Sequence, residues 1–218
     1  MSIPVIPPAF IGRYVTGGVA YPMAVGEREH LRAQGFFHRL LRDQAPFRAR
    51  NALIVSTLAE AANMLPFERA LIDLGAAICA AEANAWDGMR AESILRRFDV
   101  AIVAPVGAIT LDAIAAAGFD PAVLFRDKLV FAKPDAHARL QGAPGIDLRR
   151  WLEIGPVVAL EHRLDGGLVY DAREWSIESD GTKTWVTSRL DRAHHFDRVE
   201  IDMGLRFDGG NRGARILI

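Results

Sequence analysis

Apolar residues in the first two-thirds of the chain alternate between a helical rhythm and short unbroken runs. Between Glu27 and Asp43, residues Leu31, Phe36, Phe37, Leu40 and Leu41 fall near helical spacing with Arg and Glu between them, which predicts an amphipathic helix. Asn51 to Leu58 (NALIVSTL) is a β-branched run of strand length. Met64 to Leu74 predicts a second helix, ended by Gly75, a residue suited to a left-handed cap. Ala76 to Ala81 predicts a strand, Arg90 to Phe98 a helix, and Val100 to Val106 (VAIVAPV) the clearest strand of all. An alanine-rich helix over Leu111 to Ala117 stops at Gly118, and Lys128 to Phe131 predicts another strand. Strands separated by helix-length segments require crossover connections, hence an α/β fold with a mainly parallel sheet and flanking helices.

The pattern then changes. Val157 to Glu161, Leu168 to Tyr170, Trp175 to Glu178 and Thr184 to Thr187 read as short strands, split by the turn formers Asp165-Gly166-Gly167 and Ser179-Asp180-Gly181. The last third is therefore expected to be antiparallel β. Residues 1–141 form the predicted α/β core and 142–218 a β-rich continuation of the same compact unit. The divide falls near Gly142-Ala143-Pro144-Gly145.

Composition narrows the function classes. The 26 basic and 27 acidic residues nearly cancel, so no nucleic-acid partner is expected. No run approaches the ~18 apolar residues of a membrane helix, and Met1 to Pro8 lacks the layout of a secretory signal. Pro4, Pro7 and Pro8 predict an extended arm lying along a surface. The single cysteine, Cys79, excludes an internal disulfide and a multi-cysteine zinc site. It is expected as a small buried hydrophobe in a cytoplasmic protein.

Candidate chemistry is sparse. Thr16-Gly17-Gly18, followed by Pro22 and a helix, is the one glycine-rich turn whose amides suit an anion, although it also reads as a plain tight turn. No phosphate-binding G-x-x-x-x-G-K-[ST] loop and no G-x-S-x-G nucleophile elbow occur. Asp191 to Arg198 is the densest polar cluster. Its adjacent His194 and His195 would point to opposite sides of a strand, so a solvated charged turn is expected rather than a metal site. His30 and His38 are expected on the surface of the first helix.

Several segments, taken in order from Tyr14 to Phe207, resemble the phenylacetate–CoA ligase branch of the adenylate-forming (acyl-CoA synthetase) superfamily. Tyr14 to Pro22 sits where that family has its Ser/Thr/Gly-rich phosphate loop. Phe131-Ala132-Lys133-Pro134 occupies the place of a Gly-Gly/Ala-Glu-Pro turn. Trp151-Leu152-Glu153-Ile154-Gly155-Pro156 is similar to the end of the Tyr-Gly-x-Ser/Thr-Glu motif, and Arg198 to Met203 falls near Arg-Tyr-x-Thr-Gly-Asp. The resemblance implies a remnant nucleotide site at Thr16, Gly17, Gly18, Glu153 and Asp202, with Glu153 as the magnesium carboxylate. It also exposes departures. Thr16 is the one hydroxyl of the loop, Arg149-Arg150 stands where a Tyr-Gly pair stacks on adenine, and Met203 takes the expected slot of the ribose Asp. No counterpart of the family's C-terminal lysine domain precedes Ile218.

Loss of positioned charges around a transferring group commonly lowers the rate 10²- to 10³-fold per group. A non-catalytic relative is therefore expected, with no cofactor, binding a small aromatic or acyl carboxylate or a partner protein and forming a homo-oligomer. The alternative is an AMP-forming acyl- or aryl-acid ligase that acts with a second polypeptide and uses ATP and magnesium. An unrelated α/β domain is the third reading.

Overall fold

The computed structural model describes residues 7–42, 50–162, 167–207 and 216–217. The first six residues of the predicted proline arm, Asp43, and Asp165-Gly166 lie outside them. The chain starts with an antiparallel hairpin, β1 (Phe10–Thr16) and β2 (Val19–Val25), before α1 (Glu27–Arg42). An alternating stretch follows: β3 (Asn51–Ser56), a single 3-10 turn (Leu58–Glu60), α2 (Ala61–Asp73), β4 (Ala77–Glu82), α3 (Gly88–Arg97), β5 (Val100–Val106) and α4 (Ala108–Ala116). It continues through a short α5 (Pro121–Leu124), β6 (Leu129–Ala132), α6 (Pro134–Leu140) and β7 (Asp147–Ile154). Antiparallel segments complete it: β8 (Val157–Glu161), β9 (Leu168–Val169), β10 (Trp175–Ser179), β11 (Thr184–Ser188), β12 (Val199–Ile201), β13 (Arg206–Phe207) and β14 (Ile216–Leu217).

Nine strands form one sheet in the order β13-β14-β9-β8-β7-β6-β5-β3-β4. From β4 to β7 every pairing is parallel, and from β7 onward every pairing is antiparallel. The predicted α/β class with its antiparallel last third is what the chain adopts. Because β6 pairs with β7, the large sheet runs across residues 141 and 142. A separate sheet, β10-β11-β12, lies beside it.

Strand β5 is buried at all seven positions because helices cover both faces of a central parallel strand, which explains its unbroken apolar run. Alternate residues of β3 serve opposite faces. Ala52 and Ile54 pack with Phe37, Phe67 and Trp151 under α1 and α2, whereas Leu53 and Val55 pack with Leu95, Leu111 and Ile114 under α3 and α4. A further core joins the first hairpin to the small sheet through Met23, Val25, Trp175, Val186, Phe196 and Ile201.

The hairpin departs from expectation. Pro22 is followed by the rest of β2, and only after Gly26 does the helix begin. Cys79 lies on the edge strand β4 and is partly exposed rather than fully buried. Among the described residues no helix is long and apolar enough to cross a membrane.

Candidate functional site

Three parallel strands deliver charged side chains to one point at their carboxyl ends. β3 runs through Thr57 into the 3-10 turn, where Glu60 folds back so that its Oε2 accepts the Thr57 amide at 2.7 Å and hydroxyl at 3.1 Å. This arrangement, S/T-x-x-E at a helix start, fixes the carboxylate locally. β6 ends at Ala132, and the next residue, Lys133, donates its amide to the Val106 carbonyl at 2.8 Å before α6 begins at Pro134. β7 places Trp151 and Glu153 on one face, and the indole N–H of the fully buried Trp151 donates to Glu153 Oε1 at 3.2 Å.

The Lys133 ammonium joins these carboxylates. Its Nζ lies 2.5 Å from Glu60 Oε1 and 3.2 Å from Glu153 Oε1. Burial by itself would lift the Glu60 pKa, but the ammonium and the two Thr57 donors outweigh it and hold the carboxyl below its usual range. Burial likewise opposes the charge on Lys133, and Glu153 and Glu60 reverse that, holding its pKa above the ordinary lysine value. The group is a fixed cation and is unsuited to act as an amine nucleophile, which requires a depressed pKa.

A cavity of about 130 Å³ separates this trio from residues Arg13 to Val15 of β1, with Asn63 of α2 and Gly155 beside it. Two glycines let the walls approach. A Cβ on Gly12 would sit 2.4 Å from Ala62 Cβ at the start of α2, so β1 passes against that helix only without a side chain there. A Cβ on Gly155 would meet Ile201 Cδ1 at 2.4 Å and Tyr14 Cδ2 at 3.7 Å. Arg13 is exposed and has no ion-pair partner among the described residues. Tyr14 stacks on Tyr21 across the hairpin at 5.5 Å, and burial together with that neighbour raises its pKa, so the phenol stays neutral.

The five residues singled out in the sequence divide into two groups. Gly17 and Gly18, with φ of 55° and 74°, are the whole loop of the β1–β2 hairpin, the two-residue turn with both central residues left-handed. Thr16 Oγ1 accepts the Asp202 amide at 3.0 Å and reaches the Glu200 carbonyl at 3.4 Å, so Thr16 and Asp202 meet through the Asp202 backbone. Glu153 is bound to Lys133, at the cavity that Val15, the neighbour of Thr16, also lines. Thr16 and Arg13 are three residues, or about 10 Å, apart along β1.

Glu60, Lys133, Arg13 and Asn63 were not foreseen. The Thr57-x-x-Glu60 spacing and the strand-then-Lys133-Pro134 step were the available signals. No group of three or more His, Cys, Asp or Glu is arranged for a metal among the described residues. The Asp191–Arg198 segment is not merely a solvated turn. Arg192 is largely buried, bound to Glu29 and Glu174 at 3.0 Å each and lying 4.1 Å above the Trp175 ring. His30 is half-buried rather than on the surface, with its Nδ1 enclosed beside a smaller cavity of about 60 Å³ near those ions. His195 Nδ1 lies 3.0 Å from Ser188 Oγ, but that hydroxyl already accepts the Phe196 amide and is bonded to its carbonyl.

No protein-family model matches the chain, and no curated protein matches it. Solved structures do match. An open conformation of 2-hydroxyisobutyryl-CoA ligase, in complex with 2-HIB-AMP and CoA, superposes with a TM-score of 0.72 over 99% of this chain and 53% of that one, at 11% identity. A malonyl-CoA ligase with methylmalonyl-CoA and AMP bound gives 0.56 over 98% and 53%, at 14% identity. The amide bond synthetase McbA from Marinactinospora thermotolerans gives 0.55 over 94% and 48%, at 12% identity. The fold is thus the one found in adenylate-forming ligases. At these identities the likeness is one of fold, and the chain spans about half the length of the ligases it matches.

Proposed function

We propose that the protein is a non-catalytic relative of the adenylate-forming ligases, nearest their phenylacetate–CoA branch, that binds a small aromatic or acyl carboxylate between Arg13 and Lys133. The observation that carries this reading is the ammonium of Lys133 resting on Glu153, the carboxylate that the resemblance assigns to magnesium. Two further features support it. The hydroxyl of Thr16 is engaged by the backbone of Asp202 and Glu200, and the Gly17-Gly18 loop is a two-residue turn, too short to wrap a triphosphate. Magnesium–ATP is therefore a poor match to these residues, and no cofactor enters the proposed activity.

Arg13 lines the cavity and has no ion-pair partner among the described residues, which favours an anion, and the cavity of about 130 Å³ is slightly smaller than the ~150 Å³ that holds benzene. Titration calorimetry with short acyl and simple aryl acids tests this. We expect Arg13→Gln to weaken binding about 10-fold, the scale of one charge-assisted hydrogen bond. Equal affinity for the acids and their neutral amides would refute it.

A second reading, an acyl-activating ligase completed by another polypeptide, draws on exposed apolar residues beyond the carboxyl ends of β3 and β4. Leu58, Trp86 and Met89 are 94%, 82% and 57% exposed. Both readings place the protein in the cytoplasm as an oligomer or partner complex. Sedimentation of a clean monomer at micromolar concentration would remove the oligomer.

A further inference from the structure

We propose that Lys133 is a built-in replacement for a divalent cation, its ammonium occupying the seat between Glu60 and Glu153 so that the adjoining cavity holds its ligand without metal. The proposal deepens the carboxylate-binding reading above and rests on it for the identity of the ligand, but its geometry stands separately.

Two carboxylates, one in the 3-10 turn after β3 and one on β7, converge on one point, and each is fixed by its own donors: Thr57 for Glu60, Trp151 for Glu153. Such a pair repels unless a proton, a metal ion or a cationic side chain lies between them. Here the cation is covalently supplied. Nζ sits 2.5 Å from one carboxylate and 3.2 Å from the other. The backbone of Lys133 is anchored to Val106, and its aliphatic stem passes Gly107, where a Cβ would lie 3.8 Å from Lys133 Cδ. A tethered ion of this kind competes at high effective concentration with any free ion in solution.

An ammonium differs from magnesium in what it offers next. Magnesium demands six oxygens near 2.0–2.1 Å and retains water. An ammonium has three donors, and Glu60 and Glu153 take two. The third remains for whatever enters the cavity that Lys133 and Arg13 both line. A ligand carboxylate held by an ammonium on one side and a guanidinium on the other needs no metal.

The test uses manganese(II) alone as the probe, with the free ion followed by electron paramagnetic resonance and the thermal midpoint measured in parallel. Wild-type protein is expected to leave the free-ion signal and the midpoint unchanged. Lys133→Met removes the ammonium and leaves the two carboxylates facing each other. It is expected to take up one manganese per chain and to gain about 3–5 °C at ten times the dissociation constant. Adding Glu153→Gln to that variant abolishes the uptake, and Lys133→Arg, which keeps a cation there, shows none. Should Lys133→Met fail to fold, Lys133→Gln takes its place with the same two outcomes. Stoichiometric manganese binding by the wild type that Glu153→Gln removes would overturn the proposal, as would a folded Lys133 variant indifferent to the ion. A failure of acids to bind would count against the ligand reading and leave the manganese result standing.

Discussion

The hydroxyl of Thr16, at the end of β1, accepts the amide of Asp202, 186 residues further along, at 3.0 Å. That bond and the contact to the Glu200 carbonyl tie the first hairpin to β12, so the glycine turn is held as a structural corner. Thr16→Val keeps the shape of the side chain and removes both bonds. The expected cost is about 1–2 kcal/mol in urea unfolding, the net worth of one or two hydrogen bonds, with no change in acid binding. An unchanged stability together with lost ligand binding would assign Thr16 to the site instead.

Arg192 holds α1 to the C-terminal sheet. Glu29 and Glu174, the carboxylates that it bridges, are 3% and 4% exposed. Glu29 also accepts the amides of Gly26 and Ala193, and Arg32 shares Glu174. Arg192→Met leaves buried negative charge without its main partner and is expected to destabilise the chain by about 3–5 kcal/mol. A loss under about 1 kcal/mol by equilibrium unfolding would show that Arg32 suffices.

The Glu60–Lys133 pair sets a pH window. Glu60 is held below its ordinary 4.5, so its contribution is present above that value and disappears as pH falls through the lower folded-state pKa. Lys133 is held above 10.5, so its contribution is complete below that value and disappears as pH rises through the higher one. Between these limits the pair adds no slope. Urea midpoints measured against pH should therefore fall on the acid side, and Glu60→Gln should flatten that limb. An acid limb unaltered in the variant would place its origin in other carboxylates.

The parallel core was readable because burial dictates it. β5 is covered on both faces and so is apolar without interruption, and the helices around it carry the complementary spacing. The hairpin was not readable, because β1 and β2 are half exposed, Gly12 replaces a side chain where β1 crosses α2, and Pro22 weakens the strand signal. The resemblance singled out Thr16 and Glu153 but carried no information on their surroundings. The contact of Lys133 with Glu60 spans 73 positions, and that with Glu153 brings in one further strand, β7. Nothing local in a lysine before a proline announces two carboxylates. Sheet topology creates that meeting.

The most direct measurement is pyrophosphate release by the purified chain with ATP, magnesium and a panel of acyl and aryl acids. With Glu153 held by Lys133 and the Gly17-Gly18 loop only two residues long, no release above the protein-free blank is expected. Acid-dependent release that Glu153→Gln abolishes would contradict the account.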